Sequence, residues 1–307
     1  MGMVRLPKTE HYSFQKLDEG ITFGEARREG TALSNTAILD LGGSTVLFDT
    51  SLTLRSAREI RHAAQILTGR DPSLVVNSHW HLDHVVGNQV FAGRPIYATK
   101  RTIEILLEKR SELEGELTRE KIEADLRELE RQRSATTTDF GRAQYDAVLR
   151  VNRALLDEAV ELKLLPPSKE FDGEIRLPGD RKARLLTFGA AHTESDALLF
   201  LEKERILLAG DVIVNENHPN LMSGDPEHWL TVLSEVERLR PERIVTGHGP
   251  LGSMETVATM KDYLSTVLEL ARESGEPTVP ERFRAWTESD EFAADVRFVR
   301  TRRSSSR

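Results

Sequence analysis

The chain has 307 residues, with 42 Lys and Arg against 50 Asp and Glu, and a formal charge of −8. At 38% hydrophobic and 30% charged residues it has an ordinary globular composition and a length that allows one large domain or two small ones. The absence of cysteine excludes disulfides, thiolate nucleophiles, iron–sulfur clusters and Cys-ligated zinc, so any metal has to be held by His and carboxylate.

Residues 32–49 carry two short apolar runs around Gly42-Gly43, which predicts a β-hairpin. Residues 54–67 read as a helix, with apolar or small residues at Leu54, Ala57, Ile60, Ala64 and Leu67 and a stop at Gly69 and Pro72. Residues 73–77 form a short buried strand and residues 95–98 another. The segment 101–165 differs: it is heavily charged, with apolar residues spaced by three, four and seven (Ile103, Leu106, Leu113, Leu117, Ile122, Leu126, Leu129). This is a helical insertion, with a break near Gly115 and a second helix capped at Thr136–Asp139 that runs to about Leu165 before Pro166-Pro167. A lid, an arm for a homodimer and a plain cover over one end of the core are its alternative roles. Strands return at 174–177, 184–188, 197–201, 206–209 and 243–246, with helices at 226–239 and 252–273. The basic end, 297–307, reads as a disordered tail. The whole predicts a layered α/β sandwich in a single domain, 1–307.

No run approaches the roughly 18–20 apolar residues of a membrane span, and the first residues lack the apolar core of a secretory signal. The negative balance disfavours phosphate binding. A cytoplasmic protein acting on a small molecule, without nucleic acid or membrane, is the expectation.

The chemistry concentrates in His79-Trp-His81-Leu-Asp83-His84, directly after a predicted strand. In extended chain alternate side chains share a face, so His79 and His81 can reach one ion. A helix starting near Leu82 would send Asp83 and His84 toward a neighbouring position, so this loop can feed two metal sites. Further along, His192, Asp211, His248 and Asp49 each lie at the end of a predicted strand, mostly beside Gly or Ala, where small residues allow close approach to a crowded centre.

With these residues in order, the chain resembles the metallo-β-lactamase superfamily, whose signature is His-x-His-x-Asp-His followed by His, Asp and His. The resemblance runs from about Asn35 to His248 and ends in Gly247-His248-Gly249-Pro250. It implies a four-layer αβ/βα sandwich interrupted by the helical insertion. It also implies His79, His81 and His192 on a first metal, Asp83, His84 and His248 on a second, and Asp211 bridging both. Two zinc ions per chain are expected from this donor set, with iron or manganese as substitutes. Asp83 is the candidate catalytic proton carrier. Asp49 either orients a ligand histidine or caps the chain, and Asn88 either supports the metal loop or caps it. Trp80 packs or stacks on substrate, and His218 is a candidate substrate contact in the segment after Asp211.

The full Asp-containing donor set and the missing cysteine set the chain apart from typical zinc β-lactamases and bring it closer to glyoxalase II-like enzymes and lactonases. The expected reaction is hydrolysis of a small ester, lactone, thioester or amide by hydroxide bridging two zinc ions, with a β-lactam a poorer candidate. The alternatives are an iron-dependent oxidoreductase resembling persulfide dioxygenases, with iron at His79, His192 and Asp211, and a non-catalytic scaffold.

Overall fold

The computed structural model describes residues 6–287 and 289–305. Two antiparallel strands, β1 (Tyr12–Asp18) and β2 (Ile21–Ala26), open the chain and lead to the hairpin β3 (Thr36–Asp40) and β4 (Thr45–Phe48). Gly42 and Gly43 turn that hairpin at φ 73° and 75°, a region closed to most side chains. Then come α1 (Leu54–Thr68), β5 (Leu74–Val76), the one-turn helix α2 (Leu82–Val85) and β6 (Ile96–Thr99). The predicted α1 is matched closely: Thr53 caps its start and Gly69, at φ 71°, its end. Four helices follow: α3 (Lys100–Glu108), α4 (Arg110–Glu116), α5 (Arg119–Ala135) and α6 (Asp139–Glu158). Next are β7 (Lys169–Phe171), β8 (Glu174–Arg176), β9 (Ala183–Thr187), β10 (Ala197–Leu201) and β11 (Ile206–Gly210). The chain continues through α7 (Pro226–Leu239), β12 (Arg243–Thr246), α8 (Met254–Leu270) and α9 (Ser289–Ser305).

The strands form a seven-stranded sheet, β1 to β7 in chain order, and a five-stranded sheet in the order β12-β11-β10-β9-β8. Strands β4 to β7 are mutually parallel, as are β11 and β12. Alternation along the strands decides the layering. Val46, Phe48, Leu74 and Val76 face inward and meet Leu185, Leu199, Leu208 and Val245 of the second sheet. Their neighbours Leu47 and Val75 face outward onto Ile60, Ala63 and Ala64 of α1. On the far side, Leu198, Phe200 and Leu207 pack against Trp229 and Val232 of α7 and Leu264 of α8. Helix, sheet, sheet, helix is the four-layer arrangement that the resemblance implies. None of the helices among the described residues is long and apolar enough to cross a membrane.

A helical segment, α3 to α6, lies between β6 and β7. Its first part, α3 and α4, packs Ile105, Leu106 and Leu113 on Trp80, Val85 and Leu164. Its second part is a hairpin of α5 and α6 that buries Ile122, Leu126, Leu149 and Leu155. Thr138 caps α6 as expected, but the helix ends at Glu158 rather than near Leu165. Beyond it the backbone is engaged by Gln89, which accepts the Lys163 N–H at 2.7 Å and donates to the Glu161 carbonyl at 3.2 Å, and the last helical residue, Glu158, docks on α1. Its buried carboxylate accepts the Leu54 and Arg55 N–H groups at 2.7 and 3.0 Å, and the Arg55 side chain at 2.9 Å, at the start of α1. An anion at a helix N-terminus satisfies otherwise orphaned donors, and the chain turns away to reach β7.

A second correction concerns the expected tail, 297–307. The chain is helical through Ser305, and residues 306 and 307 lie outside the described residues. Phe292, Val296 and Val299 bury one face of α9 in the α7–α8 core. Arg302 and Arg303 pair with Asp225 and Glu227 at 3.0 and 2.8 Å, so the basic run anchors the helix to the start of α7.

Candidate metal centre

Strands β4, β5, β11 and β12 all end at one edge of the sandwich, and each delivers a polar residue there. After β4 comes Asp49, and after β5 the segment Asn77-Ser78-His79-Trp80-His81 leads into α2, which carries Asp83 and His84. Asp211 follows β11, and His248 follows β12. The loop between β9 and β10 brings His192 over the same point.

These side chains gather into two groups with donor atoms within 4.8 Å of one another: His79, His81, His192 and Asp211, and Asp83, His84 and His248. His192 Nε2 lies 2.9 Å from His81 Nδ1 and 3.4 Å from Asp211 Oδ2. His248 Nε2 is 3.3 Å from Asp83 Oδ2 and 3.2 Å from Asp211 Oδ2, and His84 Nε2 is 3.3 Å from Asp211 Oδ1. Asp211 therefore touches both groups. His79 Nε2, His84 Nε2 and Asp211 Oδ1 are buried without a hydrogen-bond partner, a costly arrangement that a cation resolves. Imidazole nitrogen and carboxylate oxygen suit zinc, iron or manganese. The residues present fit a metal centre.

Electrostatics divides the histidines. Burial, reinforced by neighbouring imidazoles, holds His79 well below the ordinary histidine value, and burial lowers His81 to about 4 and His192 to about 3. These rings are neutral lone-pair donors at physiological pH. For His84 and His248 burial also disfavours charge, but Asp83 and Asp211 outweigh it and hold both well above that value. Asp83 and Asp211, although buried, are held ionised by His84 and His248. A cation beside these carboxylates takes the place of the imidazole protons.

The surrounding shell fixes the rings. Asp49 accepts from Ser78 N–H at 2.7 Å and Ser78 Oγ at 2.8 Å, and it lies 2.9 Å from His84 Nδ1. Asn88 pairs amide to amide with Asn77, whose Nδ2 donates to the His84 carbonyl at 3.0 Å. Asn88 thus braces the segment that carries His84. His81 Nε2 lies 3.0 Å from Ser223 Oγ, and Ser78 Oγ lies 2.9 Å from His79 Nδ1. Asp196, raised to about 7 by burial, accepts the Ala191 and Thr193 N–H groups and so shapes the His192 loop. Sequence reading missed Ser78, Ser223 and Asp196 as supports. Ser78 had a signal, its place next to His79; Ser223 is 142 positions from His81 and had none.

An open cleft of about 360 Å³ lies above the centre, with Trp80, Asp83 and Leu113 on its walls. Trp80 both packs in the α3–α4 cluster and faces this cleft, and its Nε1–H donates to Glu194 at 2.9 Å. His218 is placed differently from the expectation. It borders the cleft but is fully buried, with Nδ1 3.2 Å from the Tyr263 hydroxyl and Nε2 3.1 Å from the Phe283 carbonyl. Both ring nitrogens serve the C-terminal packing, which leaves neither for a substrate.

The comparisons with known proteins agree with this geometry. Among curated proteins no significant sequence match is found. Among solved structures, a metallo-beta-lactamase from Pontibacter korlensis superposes with a TM-score of 0.60 at 15% identity, covering 83% of this chain and 99% of that one. DIM-1 metallo-beta-lactamase gives 0.59 at 16% identity, covering 83% of this chain and 98% of its own. At these identities the likeness establishes the fold alone. The family model for the metallo-beta-lactamase superfamily matches residues 30–248, a span that holds all seven of the converging His and Asp residues. The chain belongs to the metallo-beta-lactamase superfamily.

Proposed function

We propose that the protein is a hydrolase acting on a small ester, lactone, thioester or amide, with two zinc ions held by His79, His81, His192 and Asp211 and by Asp83, His84 and His248. The observation that carries this reading is the convergence of seven donors, several buried without hydrogen-bond partners, beneath a cleft of small-molecule size. When bound, the two cations supply Lewis acidity and bring the ionisation of a coordinated water toward neutral pH. The chain's own residues do the rest. His79, His81 and His192 offer neutral nitrogens, Asp49 and Ser223 orient rings, and Asp83 at the cleft wall, ionised, is placed to accept a proton and pass it on. In the overall reaction the oxygen of water bonds to the acyl carbon and the acyl–oxygen, –sulfur or –nitrogen bond breaks. The leaving group takes one proton of that water.

Elemental analysis of purified protein, joined to an assay panel of lactones, esters, thioesters, amides and β-lactams, tests this. Two zinc ions per chain and turnover that disappears in His79→Ala and His81→Ala are expected. One iron per chain with oxygen consumption would instead identify an oxidoreductase. Full metal loading without turnover of any member of the panel would leave the scaffold reading.

A further inference from the structure

We propose that the substrate of this centre is an uncharged acyl compound with an apolar arm, and that the helical insertion selects it through Leu113. The inference rests on the hydrolase reading and adds the substrate class. Besides its His, Asp and two Asn residues, the cleft is lined by Leu33, Trp80, Leu82, Leu113, Val214 and Pro219. None of the described residues lining it is Lys or Arg. The two amides at its edge are engaged by other residues of the chain. Asn217 Nδ2 donates to the His218 carbonyl at 3.0 Å, and its Oδ1 accepts from Thr287 Oγ1. Asn220 Nδ2 donates to Glu291 at 3.3 Å, and its Oδ1 accepts the Met222 N–H at 2.9 Å. The Trp80 indole N–H is likewise taken by Glu194. Beyond the metal centre the cleft offers a ligand mainly apolar surface.

Such a surface has a definite preference. A carboxylate on the arm would lose its hydration there without gaining a partner, whereas each seated methylene leaves water favourably. The insertion supplies part of this wall: Leu113 of α4 is buried in the cluster that includes Trp80 and Leu82. A cation at the junction of α3 and α4, Lys109, lies with Nζ 4.4 Å from the centroid of the Trp80 ring, where the aromatic face already engages it. The cleft therefore reads the acyl group at the metals and a short aliphatic arm along α4.

The test uses the metal-loaded full chain with γ-lactones bearing alkyl arms of increasing length, and the same lactones with the arm ending in carboxylate. The expected kcat/KM rises about threefold per methylene until the cleft is full, and a terminal carboxylate lowers it at least about tenfold. Leu113→Lys is expected to remove the carboxylate penalty and Leu113→Ala to flatten the chain-length dependence. Leu107→Ala, at an exposed position of α3, changes neither. As a readout apart from turnover, calorimetry on chelator-treated protein compares a cyclic ether carrying a hexyl arm with its carboxylate counterpart, and tighter binding of the uncharged ether is expected. Equal or faster hydrolysis of the carboxylates, above all if Lys109→Ala abolishes it, overturns the proposal while the hydrolase reading stands. A fully metallated protein that hydrolyses no lactone, ester, thioester, amide or β-lactam defeats the hydrolase reading instead, and calorimetry then decides the apolar preference on its own.

Discussion

The carboxylate of Asp49 lies 2.9 Å from Nδ1 of His84 and accepts both the backbone N–H and the hydroxyl of Ser78. A carboxylate has no proton to give, so Nδ1 of His84 carries the hydrogen, and Nε2 faces Asp83 and Asp211. Asp49 holds a left-handed backbone, φ 63°, to do this, a strained conformation outside Gly, Asn and Asp. Asp49→Asn, which tolerates that conformation, is expected to weaken metal affinity about 10–100-fold while the fold survives. Competition against a chromophoric chelator reads the affinity, and wild-type affinity in the variant would remove Asp49 from the site.

Glycine next to Asp211 is a matter of space. A Cβ on Gly247 would sit 1.8 Å from Asp211 Oδ1 and 2.7 Å from the Gly210 carbonyl carbon. Gly247→Ala is therefore expected to displace Asp211 or His248 and to lower bound metal below one ion per chain by elemental analysis. Gly115 in α4 is the counterpart, because a Cβ there meets nothing within 4 Å. Gly115→Ala should stabilise by about 0.5 kcal/mol through a less flexible unfolded chain, read as a higher urea midpoint.

Much of this centre was legible because its signals are local. His79, His81, Asp83 and His84 share six positions, and the short apolar run of β5 directly before them is legible from local pattern. The β3–β4 hairpin and α1 are similarly announced by paired glycines and by apolar residues at helical spacing that stop at Gly69. What escaped depends on partners far along the chain. β1 and β2 were not anticipated, though Phe14, Leu17, Ile21 and Phe23 are buried. Residues 297–307 read as a tail because arginines dominate them, and the helix of which 297–305 are the end, anchored by buried Phe292, Val296 and Val299, has meaning only once α8 is beside it. Ser223 beside His81 belongs to the same class.

The docking of the insertion on the core rests on Glu158. Its carboxylate is buried and serves two backbone N–H groups of α1 together with Arg55. Removing it in Glu158→Ala leaves those donors unsatisfied, at a cost of about 2–4 kcal/mol. Glu158→Gln should retain part of the loss because one oxygen still accepts. Chemical denaturation measures both. An exposed pair of the same insertion, Arg131 with Glu128, is the control, and Glu128→Ala should leave the midpoint unmoved. Equal midpoints for Glu158→Ala and the control would mean that α1 does not need its anion.

His218 predicts how acid acts on the fold apart from the metal centre. Burial lowers it to about 4, with the acceptor carbonyl of Phe283 opposing that shift only in part. The folded state thus binds a proton less readily than the unfolded chain, whose histidine titrates near 6.5. Stability contributed by the neutral ring is intact above about pH 6.5 and is lost progressively as pH falls toward 4, by up to about 3 kcal/mol. His218→Gln has no such titration. With chelator present in both proteins to equalise the metal centre, the melting temperature of wild type should fall faster than that of the variant between pH 6.5 and 4, so their difference narrows with acid. Parallel curves across that range would show that His218 is not held neutral by its surroundings.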